Sequence, residues 1–232
     1  MRRSTEPELM DLPGQPKELL IDDLRNLRLI NRYLGCQRNA LRAVARALSG
    51  SGARRFTLLD VGTGSADIPT RVARWARRQK LGFQITCLER EPTTVEQAAA
   101  QTRGTPEIVI IRGDALAPPF GAKSFDLVLA SQLLHHFSDD QIVGLLRSWA
   151  GLARRAVIVN DLVRHPLAYH GIRLLTKALT RNVMTLTDAP LSVKRSLTVA
   201  EWRALFRRAD AGEFFVERAP PFRMLGMIWP ES

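Results

Sequence analysis

The segment Asp60-Val61-Gly62-Thr63-Gly64-Ser65-Ala66-Asp67 sets two glycines between two carboxylates. It follows the apolar run Phe56 to Val61 and precedes a helix-forming stretch, so it joins a strand to a helix. Gly62 permits a tight turn, and Gly64 lets a ligand approach the backbone. The carboxylates narrow the ligand. A pyrophosphate would be repelled by Asp60 and Asp67, whereas a cationic group beside Asp60 is favoured. Two more acidic residues follow strand candidates: Glu89 after Phe83 to Leu88, and Asp114, in Gly113-Asp114-Ala115, after Glu107 to Arg112. The first can accept both hydroxyls of a ribose, and the second the exocyclic amine of an adenine. In order, at the carboxyl ends of strands, they describe a pocket for an adenosine carrying no phosphates.

A second set could act on an acceptor. His135-His136 follows the strand candidate Phe125 to Ala130, and Asp161 follows Ala156 to Asn160. Histidine is the natural proton acceptor near neutral pH, and a carboxylate can orient it or the acceptor. His165 and His170 bracket a later helix. The four histidines lack metal-ligand spacing, and Cys36 and Cys87 form no Cys-x-x-Cys pair, so no metal site is expected.

The elements that must position these residues alternate. Helical periodicity runs from Glu18 to Leu48, broken at Gly35, behind an extended arm rich in proline and glycine. Helices are expected over Ala66 to Gln79, Thr93 to Thr102 and Asp139 to Leu152. The five intervening strands are apolar throughout, as strands covered on both faces are. That pattern predicts a doubly wound α/β sheet. Beyond Asp161 the rhythm changes: a helix over Pro166 to Arg181, an irregular stretch to Leu197, a helix opened by the capping box Thr198-x-x-Glu201, and a closing hairpin around Pro220-Pro221.

Composition sets bounds. The 232 residues are 45% hydrophobic, enough for a core and against general disorder. The net charge of +11 arises from 29 Arg and 5 Lys dispersed along the chain, with 6% aromatics. This suits solvated helix faces better than a base-stacking stripe. The absence of a long apolar run and the two unpaired cysteines lead us to expect a protein of the cytoplasm, as a monomer or homodimer.

Over residues 54–230 the sequence resembles the class I S-adenosylmethionine-dependent methyltransferases. The matching segments are Leu58 to Asp67, Leu88 to Pro92, Gly113 to Phe120, Ser124 to Val128, Leu133 to Phe137 and Val157 to Leu162. Within that class it is most similar to the quinone-biosynthesis type and to enzymes acting on phenols or polyketides. The resemblance implies a seven-stranded, mostly parallel sheet ending in an antiparallel hairpin, and S-adenosyl-L-methionine as cofactor. It implies cofactor contacts from Asp60, Gly62, Thr63, Gly64, Glu89, Arg90, Asp114, Ala115 and Gln132. Ala66 replaces the commoner glycine, a change expected to affect packing alone.

The organisation expected is an arm with cap helices over 1–52 and a methyltransferase domain over 53–232, in which 162–197 forms a lid. Tyr169 and Leu175 would wall an apolar acceptor, Arg164 would meet an acidic group on it, and His135, His136 and Asp161 would act on it. Two other readings compete with a small-molecule acceptor: an RNA or protein acceptor drawn to the basic surface, and a non-catalytic adenosine-binding scaffold. Against base methylation, the sequence holds neither an Asn-Pro-Pro-Tyr-type segment nor a Pro-Cys nucleophile.

Overall fold

The computed structural model describes residues 1–231. After an arm with one short 3-10 turn at Leu9–Asp11, the helices α1 (Lys17–Tyr33) and α2 (Cys36–Leu48) meet at Gly35, whose φ of +78° suits glycine. Strands and helices then alternate through β1 (Arg55–Val61), α3 (Asp67–Arg78), β2 (Gly82–Glu89), α4 (Pro92–Gln101), β3 (Ile108–Arg112), β4 (Phe125–Ser131), α5 (Asp139–Leu152) and β5 (Ala153–Leu162). The chain ends with α6 (Pro166–Leu179), α7 (Val183–Arg195), α8 (Val199–Ala209), β6 (Glu213–Ala219) and β7 (Arg223–Trp229). The sheet order is β3-β2-β1-β4-β5-β7-β6, with β7 antiparallel to both of its neighbours. The order reverses between β1 and β4, and in an open α/β sheet a ligand crevice forms at such a point.

The sheet separates two apolar cores. Leu59, Val61, Val128 and Val157 face α5 and α8, with Trp149 and Trp202 fully buried between them. Leu58, Ile85, Leu127 and Ile158 face α2 and α3. Burial on both faces explains why these strands carry no polar alternation. The stretch before Leu197, read as irregular, is the helix α7. Pro190 lies inside it and cannot donate to the carbonyl of Leu186, which hid the helix in the sequence. Its packing overrides that loss: Met184, Ala189, Leu191 and Val193 are buried, and Asn182 caps its first turn by accepting from the Thr185 amide at 3.1 Å.

Candidate active site

All nine cofactor candidates named from the sequence line one cavity of about 1080 Å³ at the carboxyl edge of β1 to β4. The loop after β1 builds its floor. Gly62 has φ +65°, and a Cβ there would meet the Leu133 side chain at 2.7 Å, so both conformation and space demand glycine. Gly64 has φ +55°, and among the described residues beyond its chain neighbours no atom lies within 4 Å of where its Cβ would stand, so the backbone is open toward the cavity. Ala66 is also left-handed, at φ +56°. The methyl there therefore carries a backbone cost of about 1 kcal/mol, beyond the packing change expected from the sequence.

Carboxylates tie this loop together. Asp60 is buried and accepts from the Thr63 hydroxyl at 2.6 Å. Burial pushes its carboxyl up to about 7, and the charges of Asp67 and Glu89 add to the rise against the Thr63 hydrogen bond. Glu89 accepts from the amides of Gly64, Arg90 and Glu91 at 3.0, 2.8 and 3.2 Å, so it joins the loops after β1 and β2. Burial outweighs those bonds and raises its carboxyl above the ordinary value. Asp114 accepts from the Leu116 amide at 2.9 Å beside Ala115. Gln132 holds φ +54°, and its amide donates to Asn31 of α1.

The opposite wall comes from the N-terminus. Pro7, Met10, Leu12 and Pro13 of the arm, with Leu20, Leu24 and Leu27 of α1, face Leu133, His136 and Phe137 across the cavity. The arm is strapped to α7. Asp188 accepts from the amides of Leu9 and Met10 at 2.9 and 3.0 Å, and Ser4 donates to the Lys194 carbonyl at 3.1 Å. Arg3 donates to the carbonyls of Arg195 and Phe137 at 2.8 and 3.0 Å and pairs with Asp139. Glu8 is 2% exposed and accepts from the Ser192 hydroxyl at 2.9 Å. Sequence reasoning missed Glu8, Asp11 and Asp188; Arg195, expected with Arg164 and Lys194 to meet an acidic group, does line the cavity. The one signal was the apolar Leu9-Met10 between two acids in an otherwise loop-like segment.

The two histidines differ. His135 is buried, with Nδ1 at 2.7 Å from Asp161, which also accepts from the amides of Leu134 and Leu162 at 3.1 and 2.7 Å. Burial disfavours its charge, but Asp161 and Glu8 outweigh that and raise the imidazole to about 10. His136 stands at the cavity wall, with Nδ1 at 2.6 Å from Asp11. Burial would raise the Asp11 carboxyl, yet His136 and Arg195 hold it below the ordinary value. Among the described residues of 162–197, Arg195 alone lines the cavity. Tyr169 and Leu175 pack instead with Ile30, Ile172 and Val193, and Lys194 lies 4.9 Å from the Tyr169 ring centroid. Arg164 pairs with Glu201 at 2.5 Å and donates to the Ser196 carbonyl at 2.8 Å.

The likeness to known proteins is one of family and fold. Residues 58–155 match the family described as a methyltransferase domain. No curated protein sequence matches the chain. Among solved structures, human N-acetylserotonin methyltransferase in complex with S-adenosylmethionine is 17% identical with a TM-score of 0.67. That match covers 100% of this chain and 63% of the human one, so the chain spans less than two thirds of it. The plantazolicin methyltransferase BamL, in complex with a triazolic desmethyl plantazolicin analogue and S-adenosylhomocysteine, is 12% identical, with a TM-score of 0.67 and coverage of 92% and 96%. An S-adenosylmethionine-dependent methyltransferase from Aquifex aeolicus is 10% identical, with a TM-score of 0.61 and coverage of 91% and 98%. The family match spans the glycine loop, Glu89 and Asp114. Residues 58–155 thus match a methyltransferase domain, and the chain shares its fold with S-adenosylmethionine-dependent methyltransferases.

Proposed function

We propose that the chain transfers a methyl group from S-adenosylmethionine to an oxygen or carbon of a small acceptor with an apolar body, of the phenolic, polyketide or quinone type. One observation carries this reading: the strapped arm and α1 line one side of the cavity with apolar groups, among them Pro7, Met10, Leu12, Leu20, Leu24 and Leu27. A cavity of about 1080 Å³ accommodates a cofactor and a small acceptor together, since single-ligand sites run from about 300 to 1,000 Å³. Two of the fold relatives are named for small-molecule acceptors, which agrees with it.

S-adenosylmethionine supplies a methyl group on a sulfonium, whose thioether leaves readily. This chain supplies binding and orientation, worth about 7–11 kcal/mol when two reactants are held in line. Glu89 would receive the ribose hydroxyls, Asp114 and Ala115 the adenine, and the bare backbone at Gly64 the amino-acid tail. Leu133 and Phe137 exclude water between the two halves. His136, held through Nδ1 by Asp11 and with Nε2 turned toward Glu8, borders the space left for the acceptor. Asp161 orients the buried His135 behind it. The lid in this reading is the arm, and 162–197 serves as its anchor through Asp188 and Arg195.

Calorimetry and turnover test the two halves separately. We expect S-adenosylmethionine and S-adenosylhomocysteine to bind, NAD and ATP not to, and a panel of phenols and quinols to include a methylated product. Binding of NAD or ATP without S-adenosylmethionine overturns the cofactor assignment. Methylation of RNA or protein with no turnover of any small acceptor overturns the acceptor class.

A further inference from the structure

Behind the cavity wall, two imidazoles point at one carboxylate. His135 Nε2 lies 3.6 Å from Glu8 Oε1, and His136 Nε2 lies 3.8 Å from Glu8 Oε2. Those separations are too long for hydrogen bonds, although the hydrogen bonds made by the same rings at Nδ1 are 2.7 and 2.6 Å. Three ligand-type atoms, one from each residue, all lie within 4.8 Å of one another. We propose that Glu8, His135 and His136 form a binding site for one divalent cation of the zinc type, built jointly by the arm and the loop after β4.

Three observations carry it. The first is spacing. Ligands bonded at about 2.1 Å on a tetrahedral zinc stand about 3.4 Å apart; the two histidine–glutamate separations, each to a different oxygen of Glu8, are 3.6 and 3.8 Å, and the whole set lies within 4.8 Å. The second is the outer contacts. Histidines that bind a metal through one nitrogen generally donate the other N–H to a carboxylate, and both do so here, His135 to Asp161 and His136 to Asp11. The third is charge. Glu8, Asp11 and Asp161 bring three negative charges against one guanidinium, Arg195, whose Nε is 3.8 Å from Glu8 Oε1. Asp188 stands beside them through the Leu9 and Met10 amides, so carboxylates outnumber that guanidinium around the site and a divalent ion is favoured there. Two nitrogens and a carboxylate oxygen suit zinc better than magnesium or calcium, which prefer oxygen. His136 borders the cavity, so an ion held by it would stand at the cavity's edge. With the ion bound, His136 Nε2 is a ligand.

The test needs no turnover. The full chain, with no histidine tag, is purified without chelator and its metal content measured by mass spectrometry, then stripped and titrated with zinc chloride by calorimetry. We expect one zinc per chain, saturable rebinding, and a visible absorption band of a tetrahedral site when cobalt(II) replaces zinc. Glu8→Gln should abolish stoichiometric binding, and Asp11→Asn should weaken it 10- to 100-fold, the usual effect of removing an outer partner. Asp11→Asn retains a side chain of the same size, and circular dichroism checks that it folds. Zinc-free protein with no saturable uptake overturns the proposal, and so does uptake that Glu8→Gln and Asp11→Asn both leave unchanged. The methyl-transfer reading stands or falls separately, on S-adenosylhomocysteine binding by the same samples.

Discussion

The two ends of the cavity are built by different means. The cofactor end is made of backbone and short-range contacts: Gly62, Gly64 and Ala66 in left-handed conformations, and Glu89 gathering three amides from the loops after β1 and β2. The acceptor end is made of side chains brought together over most of the chain length, with Glu8 and Asp11 of the arm meeting His135, His136, Asp188 and Arg195. The first end keeps its shape as long as the sheet does. The second depends on a strap that folds back from one terminus, and a strap can lift. An enzyme that must admit and release a ligand gains from having one wall of each kind.

Gly62→Val should have the largest effect of any single change. It places a branched side chain into Leu133 and at a φ that valine avoids. We expect no measurable S-adenosylhomocysteine binding by calorimetry. A variant that binds normally would show that the loop yields more readily than its geometry implies. Glu89→Ala comes next. It removes the group expected to hold the ribose and leaves the Gly64, Arg90 and Glu91 amides without their acceptor. Cofactor affinity should fall by about 1.5–3 kcal/mol, roughly 10- to 150-fold, with fold retained.

Asp188→Ala addresses the other wall. The amides of Leu9 and Met10 lose their partner, at about 1–3 kcal/mol each where buried. The arm should become susceptible to protease within residues 1–16, and turnover should drop about tenfold while S-adenosylhomocysteine affinity changes little. An equal loss of cofactor affinity would mean that the two ends are not independent.

A smaller effect follows from Asp60. Its folded carboxyl is raised to about 7, above its unfolded value, so its favourable share of stability is present at acid pH and is lost as pH rises through 7. On the reading proposed above, the same ionisation would set a negative charge near the sulfonium of the bound cofactor. S-adenosylmethionine, which carries that extra cation, should therefore gain affinity over S-adenosylhomocysteine by a few-fold between about pH 6 and pH 8. Asp60→Asn should flatten the ratio. Calorimetry with both ligands at each pH reads it directly.

The same division explains what could be read from the sequence. Gly62, Glu89 and Asp114 announce themselves because each lies directly after an apolar strand, and strand order alone places them on one edge. The helix α8 was legible from Thr198 and Glu201, three residues apart. Glu8 and Asp11 were not, because their partners are more than a hundred residues away and no local period links them. The helix α7 was hidden by Pro190, which packing outweighs. Tyr169 and Leu175 are apolar and near the right strand, yet periodicity cannot say which neighbour a helix chooses, and α6 rests beside Ile30 and Val193.

The smallest expected effect concerns the surface charge. Arg25, Arg28 and Arg32 on α1 and Arg71, Arg74 and Arg78 on α3 share one spacing and line a groove on the far side of α1 from the acceptor wall. Arg25 pairs with Asp22 at 3.3 Å, an exposed pair of little worth. If the acceptor is a small molecule held inside the cavity, these arginines lie outside its path, and Arg74→Ala together with Arg78→Ala should leave turnover within about twofold. Activity should then change little from low to moderate salt, because no row of phosphates is being neutralised. An RNA acceptor behaves otherwise. Every phosphate that an arginine ceases to neutralise reduces the slope of log affinity against log salt by about 0.7–0.9, so the double variant would weaken binding and flatten that slope by about two phosphates' worth. A salt titration of the parent chain and this variant, read as turnover with a phenol and as binding of a short RNA, separates the two acceptor classes through a surface that the cavity itself does not use.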